Sequence, residues 1–288
     1  MVKDLIARRL ADGWMLEFEV SGTVVAGLDT DAPVLAYTAA DGQRHEITCD
    51  VIAGCDGFHG ICRPAIPDRL RTVWEREYPY AWLGILAEAP PATDELIYAH
   101  HPDGFALHRM RSMQVSKLYL QVDTDAQVED WPEARIWAAL QERFALPGWR
   151  VKEGPALDVS ITPMRSFVSA PMRYGRLFLA GDASHIVPPT GAKGLNLAMA
   201  DVTVLADALE DLLVRGDGRL ADAYSDTCLS RVWRATHFSW WMTTMLHRTP
   251  GADPMEAALQ LSQLRYVTSS RAAAITLAEN YVGYPPLR

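Results

Sequence analysis

The sequence predicts a mixed fold, α+β with an α/β part, and three observations predict it. Short alternating apolar runs fill residues 14 to 55 and again 80 to 122, the period-two signature of strands. A lone apolar strand, RLFLAGD, runs into a loop holding Pro188-Pro189 and Gly-Ala-Lys-Gly before any helix begins. Beyond it Leu195, Ala198, Val202, Leu205, Leu209 and Leu212 recur at helical spacing, so the chain closes in helices. With 288 residues, 49% hydrophobic and 22% charged, it is long enough for one or two domains with a sizeable core.

Residues 1 to 12 read as the end of a helix carried by Leu5, Ile6 and Leu10 and stopped at Asp12-Gly13. The runs MLEFEV, PVLAYTA and HEITCDVIAGC then read as a β-meander, with Asp41-Gly42 as its hairpin turn. The meander delivers VIAG into Cys55-Asp56-Gly57. AWLGILAEA, ELIYAHH, GFALHRMR and KLYLQV, punctuated by Pro-Pro and Pro-Asp-Gly, read as four strands of an antiparallel sheet in a layer of its own. Residues 131 to 145 read as helix. So do 219 to 247, whose Trp233, Phe238, Trp240 and Trp241 are placed in a core or a subunit interface.

A net charge of -9 and the lack of any basic, aromatic-interleaved run argue against a nucleic-acid partner. No stretch approaches the roughly 18 apolar residues of a membrane span, and MVKDLIARRLADG is too charged for a signal peptide, so a cytoplasmic protein with no membrane partner is expected. Cys49, Cys55, Cys62 and Cys228 read as reduced thiols. Cys55, His59 and Cys62 lie near one another but lack paired zinc spacing, so no metal is expected.

The loop GDASHIVPPTGAKGLN is the most informative stretch. Strand, tight turn and helix N-terminus point backbone N–H groups at an anionic or electron-rich ligand. Lys193-Gly194 suggests a P-loop, but that motif needs G-x4-G-K followed by Ser or Thr, and Gly-Leu-Asn follows here. Asp182, at the strand end, suits the hydroxyls of a sugar or polyol. Pro188-Pro189 fixes φ twice and removes two N–H donors, which leaves the Pro189 carbonyl presented rather than paired.

GCDGFHGICR (54 to 63), YPYAWLGILAE, ELIYAHHP, PMRSFV, GRLFLAGDASHIVPPTGAKGLNLA, FSWWMT and AENYVG, spaced from end to end of the chain, resemble the flavin-dependent aromatic hydroxylases, and within them those acting on 4-hydroxybenzoate. The resemblance implies FAD as cofactor, NADPH and O2 as co-substrates, a small aromatic acid as substrate and a homodimer. It divides the chain into residues 1–72, the remainder of an FAD/NAD(P)-binding, incomplete Rossmann-like domain; 73–166, an antiparallel-sheet substrate domain; 167–216, a return to the FAD-binding domain; and 217–288, a C-terminal helical region.

The same resemblance assigns roles. Gly181, Asp182, Lys193, Gly194, Leu195 and Asn196 would meet the flavin, Asp182 at the ribityl chain and Leu195 and Asn196 at the pyrimidine edge. A helix N-terminus there stabilises negative charge on a reduced ring. Asp56-Gly57 would serve FAD and NADPH together, with His59, Arg63 and Arg165 on the NADPH phosphates; the plain alternative for both arginines is a surface ion pair. Hydroxylating a phenol is an electrophilic attack, so the ring needs its phenolic proton removed, and a free phenol pKa of about 10 demands a relay at neutral pH. Tyr98 and Tyr281 match the hydroxyl pair for that task, with the carbonyl of Pro189 and with Thr190 beside them. Arg111 and Tyr119 match the residues that hold the carboxylate, with Met110 alongside; a guanidinium fork can donate twice to it.

Two positions depart from the family. Arg109 stands where a serine is usual, and Lys117 where an arginine is usual. In an extended strand Arg109 and Arg111 share a face, so the acid pocket gains a cation and suits a more negatively charged substrate. The family opens with a strand, a G-x-G-x-x-G turn and a helix that grip the ADP half of FAD, a pattern none of the 288 residues carries. The expectation is an N-terminally truncated member whose flavin-domain sheet lacks its central strands and which holds FAD weakly or not at all. A hydroxylase of another aromatic acid, a non-catalytic remnant and an unrelated phosphate-binding α/β enzyme stay as competing readings.

Overall fold

The computed structural model describes residues 2–283. In chain order the elements are helix α1 (Val2–Ala11), strands β1 (Ser21–Ala26), β2 (Val34–Thr38), β3 (Arg44–Thr48), β4 (Ile52–Gly54), β5 (Thr72–Ala87), β6 (Ile97–Ala99), β7 (Ala106–Met110) and β8 (Ser116–Val122), helix α2 (Glu133–Arg143), strands β9 (Ala156–Ala170), β10 (Arg173–Tyr174), β11 (Leu177–Leu179) and β12 (His185–Ile186), and helices α3 (Gly194–Val214), α4 (Arg219–Leu246), α5 (Pro254–Ser269) and α6 (Arg271–Val282). They fall into two units: one of Met1–Val73, Val168–His185 and Asn196–Ser230, the other of Trp74–Phe167, Ile186–Leu195 and Arg231–Arg288.

The first unit holds two small sheets. In β1-β2-β3 the strands are antiparallel, and the predicted Asp41-Gly42 turn closes the β2–β3 hairpin. Gly42 sits at φ 81° and its N–H donates to the Ala39 carbonyl, a conformation that favours glycine. The run MLEFEV, expected as the first strand, is not one. Both edges of β2 are already taken by β1 and β3, Glu19 lies at φ 57°, and Trp14, Met15 and Phe18 are exposed. Alternation reports a face to bury, not whether a partner strand exists.

In β10-β11-β4, β11 and β4 run parallel, with Leu177 opposite Ile52 and Leu179 opposite Gly54. Leu177, Phe178 and Leu179 are fully buried, each side chain contributing about 1.5–3 kcal/mol. One face packs on Leu28, Cys62, Ile66 and Ala183; Phe178 packs with Leu205, Ala208, Ala221 and Tyr224 of the helices. Because the pair is parallel, both strands end at the same edge, so the turns beginning Cys55-Asp56 and Gly181-Asp182 emerge side by side.

The second unit is built on β5, β8, β7 and β6, antiparallel neighbours in that order, with β9 on the other side of β5 and β12 beyond it. One face buries Leu83, Ile85, Leu118 and Leu120 under Ile136, Trp137 and Leu140 of α2. The other carries Trp82, Leu107, Tyr98 and Tyr119, packed with Phe238, Met242, Met245 and Leu246 of α4 and with Val267 and Ala273 of α5 and α6. Strand β9 was not expected from the sequence, where Pro163 interrupts the alternation and argues against a strand.

Candidate functional site

In the first unit the two turns are tied to each other and to helix α3. Asp56 Oδ2 accepts the Cys62 N–H at 2.9 Å, and a Cβ on Gly60 would lie 2.0 Å from the Asp56 carboxyl carbon, so this tight loop requires glycine there. Gly57, at φ 74°, turns the chain. Arg63 donates to the carbonyls of Ala183, at 3.0 Å, and of Phe58, and its guanidinium lies over the Phe58 ring. Through these bonds Arg63 ties one turn to the other. His59 is exposed, edge-on to Phe58 at 5.0 Å.

Gly181, at φ 63°, donates its N–H to Asp201 Oδ2 at 3.0 Å, and a Cβ there would press on Ala198 at 3.1 Å. That close approach leaves Asp182 exposed at the centre of the turn Gly181–Ala183. Asp201 also bonds His185 Nε2 at 2.6 Å, both side chains buried. This pair was not anticipated, although a signal existed: Asp201 falls in the buried stripe Leu197, Asp201, Leu205 and Ala208 of α3, where a carboxylate needs partners. At the start of α3, Leu195 and Asn196 are exposed and a Cβ on Gly194 would meet nothing within 4 Å. The first turn of α3 is thus unobstructed at Gly194, and N–H donors at a helix start together with an exposed carboxylate such as Asp182 are the kinds of group a flavin needs.

In the second unit the structure brings Tyr98 and Tyr281 together, their hydroxyls 3.5 Å apart. Burial pushes the Tyr98 hydroxyl well above its ordinary pKa, the bond to Tyr281 adds to that, and Arg109 opposes it. The carbonyl beside the pair is not the expected one. Tyr98 donates to the Thr190 carbonyl at 3.0 Å, whereas the Pro189 carbonyl accepts the Ala192 N–H at 2.9 Å and closes the turn Pro189–Gly191. Removing the N–H groups of two prolines does not leave a carbonyl idle when a residue three positions on supplies a donor.

This loop is seated on α4 and α6. Thr243 bonds the Thr190 hydroxyl at 2.9 Å, a Cβ on Gly191 would strike Ser239 Oγ at 2.5 Å, and the buried Lys193 ammonium donates to the Tyr281 carbonyl. Lys193 also lies 5.3 Å from the Phe238 ring centre and 5.6 Å from that of Tyr281; burial lowers its pKa.

Strand register assembles the other expected group. Tyr119 stands opposite Gly84 on β5 and Leu107 on β7, and Lys117 stands opposite Arg109, so these side chains share the face that carries Tyr98. Gly84 makes room for the Tyr119 ring, since a Cβ there would lie 3.2 Å from it. Lys117 sits over Tyr119 with Asp158 at 4.0 Å; burial lowers its pKa, Asp158 opposes that, and Arg109 and Arg111 reinforce it. Burial raises the Tyr119 pKa against the pull of the same two arginines. Two expectations need correction. Strand β7 ends at Met110, and Arg111 opens the hairpin turn, donating its N–H to the Val115 carbonyl. Met110, opposite Ser116, alternates to the other face, so its side chain is not beside Arg109. Arg165, on β9, pairs with Glu75 at 3.3 Å and Glu77 at 3.6 Å.

Among the described residues no group of three His, Cys, Asp or Glu side chains is arranged to hold a metal ion, and no helix is long and apolar enough to cross a membrane.

The model of the FAD binding domain family matches residues 2–239. Over 287 residues the chain is 45% identical to the p-hydroxybenzoate hydroxylase of Acinetobacter baylyi, an alignment covering 99% of this chain and 70% of that protein. Kynurenine 3-monooxygenase of Caenorhabditis elegans is 27% identical over 214 residues, 64% of this chain and 45% of that protein. Among solved structures, the fold matches p-nitrophenol 4-monooxygenase PnpA of Pseudomonas putida with a TM-score of 0.76 at 19% identity, over 99% of this chain and 72% of that one. It matches a ternary complex of aklavinone-11 hydroxylase with FAD and aklavinone with a TM-score of 0.68 at 19% identity, over 88% and 50%. The chain thus spans between 45% and 72% of the length of these relatives.

Proposed function

The chain belongs to the FAD-binding family of flavin-dependent aromatic hydroxylases, and from that premise we propose that it hydroxylates 4-hydroxybenzoate, or a close phenolic acid, ortho to the hydroxyl to give 3,4-dihydroxybenzoate, with NADPH and O2 as co-substrates. One observation supports the reading above the others: a single sheet face carries Tyr98, whose hydroxyl meets that of Tyr281 on α6, and also the group Tyr119, Lys117 and Arg109. A phenol needs the first and a carboxylate the second.

In the proposed relay the Tyr98 hydroxyl turns from the Thr190 carbonyl, passes its proton to Tyr281 as it takes the phenolic one, and Tyr281 releases its own proton to water, which leaves the substrate ring electron-rich. Thr190 orients Tyr98 through its carbonyl. Arg109, Arg111 and Lys117 supply the cations for the acid end. Asp182 is assigned to the ribityl hydroxyls, and Leu195 and Asn196, in the first turn of α3, to the pyrimidine edge. FAD, when bound, supplies the oxygen activation and redox chemistry. His59 and Arg63 of the first unit and Arg165 of the second are each assigned a contact to the NADPH phosphates. The reading includes a cytoplasmic homodimer, for which Trp74 and Trp233, edge-to-face at 5.1 Å and open to solvent, offer apolar surface.

The test is NADPH consumption and product formation by the full-length protein with 4-hydroxybenzoate, with 3,4-dihydroxybenzoate as comparison. Coupled formation of 3,4-dihydroxybenzoate supports the reading. No substrate-stimulated NADPH oxidation with either phenolic acid overturns it.

A further inference from the structure

His247 lies just past α4, completely buried, and both its ring nitrogens are bonded. Nδ1 faces the Thr243 carbonyl at 2.9 Å, so it must carry the proton. Nε2 is therefore bare, and it receives the Trp82 indole N–H at 2.6 Å. Burial holds the imidazole neutral by lowering its pKa to about 3. The ring is stacked between Tyr80, at 4.8 Å, and Phe105, at 4.3 Å, so it has no room to turn and exchange the two bonds.

Each bond leads to one end of the face described above. Trp82 lies on Tyr119, ring centres 4.7 Å apart, beside Lys117 and Arg109. Thr243 accepts two N–H groups at its carbonyl, from the His247 main chain and side chain, which closes the last turn of α4. Its hydroxyl bonds that of Thr190, whose carbonyl receives the Tyr98 proton. The path from His247 to each end is a short run of bonds and ring contacts within one unit.

We propose that His247 is a positioning residue that fixes both ends of the substrate pocket: through Trp82 it sets Tyr119 and the acid end, and through Thr243 and Thr190 it sets Tyr98 and the phenol end. The inference rests on the proposed hydroxylase reading. Its chemical content is the fixed tautomer, which gives one ring a donor for one arm and an acceptor for the other. A displacement of about an ångström at the reacting end lowers turnover by about a hundredfold, so such a buttress matters to rate as well as to stability.

The full-length protein is titrated with 4-hydroxybenzoate by calorimetry, bound phenolate is read by difference absorbance, and product is compared with hydrogen peroxide released. Trp82→Phe removes the indole donor and is expected to weaken binding about tenfold, the loss of one modest contact, with the phenolate signal unchanged. Thr243→Val keeps shape but loses the hydroxyl; it is expected to leave affinity within about twofold while the phenolate signal falls and peroxide rises, since a displaced relay lets reduction outrun hydroxylation. His247→Phe is expected to show both effects. The inference is overturned if wild type binds and couples while Trp82→Phe and Thr243→Val each disturb both ends alike, or neither disturbs its own. Wild-type protein that binds no phenolic acid overturns the hydroxylase reading and this inference with it. The two single-arm variants decide the matter should His247→Phe not fold.

Discussion

His185 Nε2 lies 2.6 Å from Asp201 Oδ2, with the two side chains 1% and 2% exposed, and the same carboxylate oxygen accepts the Gly181 N–H. One buried carboxylate therefore joins helix α3, strand β12 and the turn that presents Asp182. Gly181, at φ 63° and close to Ala198, has no slack to keep this geometry without that bond.

Removing one partner leaves the other buried without compensation. Asp201→Ala is expected to destabilise the protein by about 3 kcal/mol, at the lower end of the range for a broken buried pair. Urea unfolding followed by tryptophan fluorescence measures it. Asp201→Asn keeps one acceptor for Gly181 and is expected to cost less. If Asp201→Ala unfolds at the wild-type urea midpoint, the pair is not a structural anchor.

Tyr98→Phe removes the hydroxyl that touches Thr190 and Tyr281 while leaving the ring in its aromatic cluster. Product formation on 4-hydroxybenzoate is expected to fall by about a hundredfold or more, the scale of a lost acid–base group. NADPH oxidation continues, with peroxide taking the place of product. Oxygen-electrode traces with and without catalase separate the two. Unchanged coupling would remove Tyr98 from the relay.

Much of this arrangement was legible in the sequence, and the failures share a cause. The strand ends that present Asp56 and Asp182, the start of α3, the pairing of Tyr98 with Tyr281 and the β7–β8 hairpin all follow from local pattern or from the family resemblance. Partners that are distant in sequence did not. Trp82 meets His247 across 165 positions, and His185 meets Asp201 through a carboxylate that periodicity marks as core but cannot pair. The Pro189 carbonyl misled for the opposite reason: its partner, Ala192, is three residues away, and two prolines hid a tight turn. Side-chain alternation put Arg109 and Arg111 on one face, but β7 ends at Met110 and Arg111 opens the turn, where alternation no longer applies, whereas Met110 was assigned by its neighbours rather than by its face.

The neutral state of His247 carries a pH signature. Its pKa is about 3 in the fold against an ordinary 6.5, so between those values the unfolded chain binds a proton that the native protein does not. The stabilisation is whole above pH 6.5 and is lost as pH falls toward 3. The urea midpoint is expected to decline from pH 7 to pH 4, and the His247→Phe variant to show a shallower decline over the same range. Equal slopes in the two proteins would mean that carboxylates alone account for the acid sensitivity.

Arg109 is the position where this chain can differ most from its relatives in substrate choice. It faces Lys117 across the hairpin and acts on Tyr98, Tyr119 and Lys117 together, with Asp158 at 4.0 Å from Lys117 as an opposing carboxylate. An added cation on an exposed strand attracts an anionic substrate but is screened by salt. Arg109→Ser is expected to lower kcat/KM for a phenol bearing two carboxylates, such as 4-hydroxyphthalate, by up to about tenfold relative to 4-hydroxybenzoate. The difference between wild type and variant is expected to shrink at 0.5 M salt, where the screening length is a few ångströms. Competition between the two substrates at low and high salt measures this. A preference ratio that ignores both the substitution and the salt would show that Arg109 projects to solvent and plays no part in recognising the acid.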